Sequence, residues 1–127
     1  MKSITVLLVD PDAMFREALE GLLKREPDVT VIGQAGTGAE AIQQAPALRP
    51  DVVILELSLP DKGGVEVIRF LRFHLPRTRV IALTHPPRGS FHHVQRPQAL
   101  EAGAFRYLPK GVSFQTTLRA IRAAGQE

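Results

Sequence analysis

Val52-Val53-Ile54-Leu55-Glu56-Leu57-Ser58-Leu59-Pro60 decides the fold. Four consecutive apolar residues, three of them β-branched, read as a strand buried on both faces, the habit of a parallel sheet. The run then ends on a carboxylate. A charge at the end of a buried strand is costly unless other groups receive it. Three similar runs also lead to polar residues: Ile4 to Val9 to Asp10, Val80 to Leu83 to Thr84, and Phe105 to Leu108 to Lys110.

Between these runs the apolar period becomes helical. Ala13 to Lys24 places Phe15, Leu19, Leu22 and Leu23 on one face, and Pro27-Asp28 breaks it. Val29 to Gly33 is a short second strand. Thr37-Gly38-Ala39-Glu40 has capping-box spacing and opens a helix that ends near Pro46 or Pro50. Gly63-Gly64 precedes a helix from Val65 to about Leu75, stopped by Pro76. A polar stretch follows Thr84, from His85 to Pro97. A short helix is predicted over Gln98 to Ala102, with Gly103 as its left-handed C-terminal residue. Ser113 caps a last helix through Ala124, with Phe114, Leu118 and Ile121 facing inward. Strand and helix alternate five times. The class is α/β: a doubly wound (βα)5 domain with helices on both faces of a five-stranded parallel sheet.

Composition narrows the function. The 127 residues, 44% of them hydrophobic, suit one domain, expected over 1–127. The absence of Cys excludes a disulfide framework and thiolate metal sites. No apolar run approaches the ~20 residues of a membrane span. The first strand runs into Asp10-Pro11-Asp12 rather than a small-residue cleavage site, so a soluble cytoplasmic protein is expected. Net charge is +3 and pI about 9.8. The basic residues are mostly single arginines, which reads as a solvated surface rather than a face that binds nucleic acid. Gly33, Gly36 and Gly38 stand in the wrong order for a dinucleotide loop and read as turn glycines. His85, His92 and His93 lack a fixed third ligand, so no metal site is expected there.

Ligands of an open α/β sheet bind beyond the carboxyl ends of its strands. Asp10, Glu56, Thr84 and Lys110 all fall on that edge. Two carboxylates, a hydroxyl and an ammonium are the parts that hold a phosphoryl group and its metal. Each alone has a plain structural role as a helix cap, a backbone partner or half of an ion pair. Their coincidence on four strands points to a site.

At this point the chain resembles a known family. Leu7-Leu8-Val9-Asp10, Phe15-Arg16-Glu17, Arg49-Pro50-Asp51-Val52-Val53-Ile54-Leu55, Leu57-Ser58-Leu59-Pro60 and Ala82-Leu83-Thr84 are similar to receiver domains of two-component response regulators. So is Ala102-Gly103-Ala104 leading to Tyr107-Leu108-Pro109-Lys110. The likeness covers nearly the whole chain and is nearest to receivers that precede a helix-turn-helix DNA-binding domain. It implies a flavodoxin-like fold with strand order 2-1-3-4-5. It also implies a phosphoacceptor Asp ending strand 3, two acids after strand 1 that bind Mg²⁺, a Ser/Thr and a Lys that sense the phosphoryl group, and an aromatic on strand 5 that reorients. By the resemblance, Asp10 stands at the first acidic position, and Thr84, Tyr107 and Lys110 stand at the switch positions. Pro11 stands where the second acid belongs, with the acidic Asp12 one residue late. Glu56 stands where the phosphoacceptor belongs. The loop after Thr84 is longer than the family expects.

These departures have chemical consequences. Pro11 has neither a carboxylate nor an N–H, which removes an oxygen ligand from a near-octahedral Mg²⁺ site. No cofactor is expected beyond weak Mg²⁺ at Asp10 and the Ser58 backbone. Asp12 is expected to cap helix 1 rather than replace the lost ligand. Glu56 has about 1.5 Å more reach than Asp, and a shift of that size costs phosphoryl transfer on the order of a hundredfold. With Lys110 as counter-ion, Glu56 either imitates the phosphorylated state or forms a salt bridge in a decayed pocket. The expected function is a non-enzymatic signalling module that binds a protein partner without phosphorylation. The partner is a histidine kinase, an output domain, another regulator or a second copy. Two alternatives stand: a conventional phosphoacceptor using Asp12 or Asp61, and the receiver half of a DNA-binding transcriptional regulator.

Overall fold

The structure, a computed structural model, describes residues 3–126 apart from 86–91; the side chains of residues 92 and 93 also lie outside the description. Of the expected polar stretch 85–97, residues 86–91 lie outside the described residues. Five strands, β1 (Ile4–Val9), β2 (Val29–Ala35), β3 (Val52–Leu55), β4 (Arg79–Thr84) and β5 (Arg106–Pro109), alternate with five helices. The helices are α1 (Ala13–Leu23), α2 (Gly38–Leu48), α3 (Gly64–His74), α4 (His92–Ala102) and α5 (Phe114–Ala124). All pairings are parallel and the sheet order is β2-β1-β3-β4-β5. Both the class and the order agree with the sequence.

Strand side chains alternate between two cores, as a period of two dictates. Leu7, Val9, Val53, Leu55, Val80 and Ala82 pack with α2, α3 and α4. Val6, Leu8, Val52, Ile54, Ile81 and Leu83 pack with α1 and α5 through Leu19, Leu23, Leu118 and Ile121. The β3 run is apolar throughout because both of its faces are covered, and its four residues are 0–3% exposed. Leu22, predicted on the inner face of α1, is 41% exposed, because the helix stripe closes on Leu19 and Leu23 instead.

The end of β2 and the start of α4 differ from expectation, whereas α2 ends beside Pro50, one of its two expected stops. β2 runs two residues further, to Ala35, and carries a bulge where Val6 pairs with Val31 but Leu7 pairs with Gly33. α2 continues through Pro46 to Leu48 and is capped by Arg49 in the left-handed region, at φ 50°. α4 starts at His92 rather than Gln98 and contains Pro97. A proline inside a helix forfeits one ladder bond, a cost that packing can offset; Ala45 beside Pro46 and Ala99 beyond Pro97 are both fully buried. Gly103, at φ +123°, closes α4. Its N–H bonds to Leu100 O at 3.1 Å and the Ala104 N–H to Ala99 O at 3.0 Å, the paired pattern of a Schellman ending.

Candidate functional site at the carboxyl edge of the sheet

β1 delivers Asp10 to this edge with 4% of its surface exposed. Asp10 Oδ1 accepts the Asp12 N–H at 2.9 Å. Asp12 turns away and caps α1, its Oδ1 accepting the Phe15 N–H at 3.2 Å. Pro11 is exposed between them.

β3 delivers Glu56, whose N–H continues the ladder to Val9 O at 2.9 Å. Its carboxylate is 4% exposed and receives four donors. Oε2 accepts the Ser58 N–H at 3.0 Å and the Thr84 hydroxyl. Oε1 accepts the His85 N–H at 3.2 Å and lies 3.1 Å from Lys110 Nζ. The ammonium is also 2.7 Å from Asp10 Oδ2 and 4.3 Å from the centre of the Phe15 ring. Thr84 is fully buried. The structure thus brings Asp10, Glu56, Thr84 and Lys110 together.

Ser58 N–H is aimed by the β3–α3 loop. Ser58 bridges Gly63, and the Gly64 N–H bonds to Leu57 O at 2.9 Å. A Cβ on Gly64 would sit 2.5 Å from Leu57 Cα, so only glycine lets the loop close this tightly. Asp61 fastens the loop to its neighbour, accepting the Gly38 and Ala39 N–H groups at 2.8 and 2.9 Å. Those amides open α2, and they hold the Asp61 carboxyl below its usual range. Sequence reading missed this cap because Asp61 is distant in the chain from the helix it serves. It also missed the Ser58 and His85 N–H groups, since backbone donors leave no mark in residue type.

Charges in the cluster hold one another. Burial pushes the Glu56 carboxyl up, but the Ser58 N–H, the Thr84 hydroxyl, Lys110 and the His85 N–H together hold it below its ordinary 4.5. Burial pushes Lys110 down, while its bonds to Asp10 and Glu56 hold it above its ordinary 10.5. No buried side-chain nitrogen or oxygen among the described residues lacks a partner.

Tyr107 stands apart from the cluster. It is partly buried on β5, and its hydroxyl donates to Gln95 Oε1 of α4 at 2.7 Å. Burial first, and the Glu56 charge second, push its phenol above the ordinary value. Among the described residues, no group of three or more His, Asp or Glu side chains is arranged to hold a metal ion. None of the described helices is long and apolar enough to cross a membrane.

The arrangement is a cup of donors around an anion at the end of the central strands. A sequence model of the response regulator receiver domain matches residues 6–122. The chain is 35% identical over 96% of its length to a DNA-binding transcriptional activator, DevR/DosR of Mycobacterium tuberculosis, covering 54% of that protein. It is 32% identical over 94% of its length to the nitrate/nitrite response regulator NarL of Escherichia coli, again covering 54%. The chain spans about half the length of these curated relatives. The response regulator domain of Thermotoga maritima CheB superposes with a TM-score of 0.84 at 30% identity, covering 98% of this chain and 97% of that one. The chain belongs to the receiver-domain family of two-component response regulators.

Proposed function

We propose that this receiver works without phosphorylation, and that Glu56 supplies from within the negative charge that a phosphoryl group brings to other receivers. The observation that carries this reading is the Glu56 carboxylate itself, which takes donors from Ser58, Thr84, His85 and Lys110 on its two oxygens. Thr84 and Lys110 occupy the positions that, by family resemblance, sense the phosphoryl group. An attacking carboxylate needs an oxygen free to meet phosphorus in line, and here both oxygens are engaged. Asp12 and Asp61 are engaged as helix caps, which argues against either as a substitute acceptor.

The residues also fit Mg²⁺ poorly. Pro11 brings no oxygen ligand, Asp12 caps α1, and both Asp10 oxygens have partners, the Asp12 N–H and Lys110. The domain acts by presenting a fixed surface to a protein partner, and the face around α4 and β5 is favoured because Gln95 and Tyr107 join those elements there. A second reading, that the domain serves a DNA-binding output, is favoured by its 35% identity to the mycobacterial DNA-binding transcriptional activator.

Acetyl phosphate with Mg²⁺, followed by intact-mass analysis, tests the proposal. The expected result is no phosphate adduct. A stoichiometric adduct on any carboxylate of the pocket would overturn it.

A further inference from the structure

The β3–α3 loop touches both the Glu56 carboxylate and the first turn of α2. At its start, the Ser58 N–H donates to Glu56 Oε2 at 3.0 Å. At its tip, the Asp61 carboxylate accepts the Gly38 N–H at 2.8 Å on one oxygen and the Ala39 N–H at 2.9 Å on the other. Those amides are the first two of α2, and a helix offers its first amides no partner of its own. Thr37 already caps the same helix from within, its hydroxyl accepting the Glu40 N–H at 3.1 Å. Asp61 is therefore a second cap, and it comes from the loop that also serves Glu56.

Between Ser58 and Asp61 the chain has little freedom. Ser58 and Gly63 bridge across the turn, the Gly64 N–H bonds to Leu57 O at 2.9 Å, and Pro60 fixes its own φ. The turn closes against backbone that cannot yield, since a Cβ on Gly64 would lie 2.5 Å from Leu57 Cα. Its contact with α2 is equally close. A Cβ on Gly38 would lie 2.5 Å from Lys62 Cγ and 3.2 Å from Val67 Cγ2. α2 is thus held to the loop at two adjacent points, by the Asp61 bonds and by the Lys62 stem. Charge-assisted bonds from one carboxylate to two successive amides fix orientation as well as distance.

We infer that Asp61 is a positioning residue for the Glu56 site: it ties the first turn of α2 to the Ser58 N–H, so that the place of α2 and the hold on Glu56 change together. A closed turn moves as a body. Displacing its Asp61 end shifts Ser58, and loss of the Glu56 charge frees Ser58 and, through it, Asp61. Such coupling is reciprocal. Ala39, Glu40, Ser58 and Asp61 are all exposed, so the tie lies at the surface, within reach of a docked protein. The tie, which rests on the reading of Glu56 as the anion that sets the state of the domain, extends that reading from the α4–β5 face to α2.

Asp61→Ala and Thr37→Ala, compared in the whole chain by nuclear magnetic resonance, test the tie. Each removes an acceptor from the same end of α2, but only Asp61 belongs to the loop. Asp61→Ala should speed hydrogen exchange of the Ser58 N–H roughly fivefold, the loss of about one hydrogen bond. It should also move the Glu56 carboxyl titration up, because the Ser58 N–H that helps to hold it down is loosened. Loss of the Asp61 negative charge by itself would move that titration down. Thr37→Ala should loosen Glu40 and leave Ser58 and Glu56 unmoved. In the reverse direction, Glu56→Gln should shift the Gly38 and Ala39 amides, and the shift should vanish when Asp61→Ala is also present. Asp61→Asn keeps one accepting oxygen, should give a smaller change of the same sign, and serves if circular dichroism finds the alanine variant unfolded. Equal effects of Asp61→Ala and Thr37→Ala at Ser58 would overturn the proposal, since they would mark a cap that only stabilises α2. So would an unmoved Ser58. A phosphate adduct from acetyl phosphate would instead overturn the reading of Glu56, and it leaves the exchange at Ser58 to judge the tie.

Discussion

Replacing Lys110 by Met tests the buried charge cluster most directly. Lys110 Nζ lies 2.7 Å from Asp10 Oδ2 and 3.1 Å from Glu56 Oε1, and the three side chains are 9%, 6% and 4% exposed. At an effective dielectric of about 20 each contact carries roughly 5–6 kcal/mol of gross attraction, much of it offset by lost hydration. Met keeps the apolar stem beside Phe15 and removes the cation. Two buried carboxylates then share a site without a counter-ion, so about 3–5 kcal/mol of stability is lost at neutral pH. For a domain of this size that lowers Tm by roughly 10–20 °C. The pH dependence has a definite sign. In the unaltered protein Glu56 is held below its ordinary 4.5, so its stabilisation is complete at neutral pH and fades as pH falls below that value. In the variant, burial still pushes Glu56 up while one of the groups that hold it down is gone, so protonation of Glu56 relieves part of the strain. The deficit should therefore shrink between about pH 7.5 and about pH 5. Urea unfolding of both proteins at the two pH values measures it. A loss below about 1 kcal/mol at neutral pH, or the same loss at both pH values, would refute the reasoning.

Glu56→Gln keeps the shape of the pocket but removes the charge; resonances of Tyr107 and Gln95 should move, and unchanged spectra on that face would leave only the decayed-pocket reading. Pro11→Asp should strengthen Mg²⁺ binding, followed by amide shifts around Asp10 and Ser58, and sub-millimolar affinity before the substitution would mean that Asp12 already serves the metal. Gly103→Ala forces an L-residue to φ +123° and presses a methyl group to 3.1 Å from Arg72 Cδ. It should cost about 1–3 kcal/mol in thermal unfolding, and a neutral result would mean that the α4 ending relaxes freely.

What the sequence made legible follows from how local the signal is. β3 and β4 were readable because a strand covered on both faces must be apolar at every position, and Val52–Leu55 is. Glu56 was readable because it breaks that rule. The starts of α1, α2 and α5 were readable from Asp12, Thr37 and Ser113, whose side chains each accept a first-turn N–H. Glu40 departs in detail: its carboxylate accepts the Gly36 N–H at 2.7 Å rather than that of Thr37. α4 was half missed because Pro97 reads as a boundary, and only tertiary packing shows that the helix runs across it. Lys110 was expected to pair with Glu56, and it does; that Asp10 holds it more closely could not be read from strand ends alone, since register decides which carboxylate comes nearer.

The donors around Glu56 explain why an acid stands at this position whichever way the signal passes. Ser58 N–H is fixed by a loop that Gly64 and Asp61 hold shut, His85 N–H by the end of β4, Thr84 by β4 itself, and Lys110 by the end of β5. Removing the anion would leave the buried Thr84 hydroxyl and the Lys110 ammonium short of a partner, at about 1–3 kcal/mol for each donor kept from water. A receiver that acquires a phosphoryl group fills such a cup from outside, and the extra atoms span the distance between backbone donors and ammonium. An unmodified side chain must span it alone. Glutamate, one methylene longer than aspartate, reaches Ser58, Thr84, His85 and Lys110 at once. On the proposed reading, the added length that would misplace an attacking oxygen is the same length that lets the carboxylate satisfy the cup, so one residue accounts both for an acceptor position that takes no phosphoryl group and for the engaged donors Thr84 and Lys110.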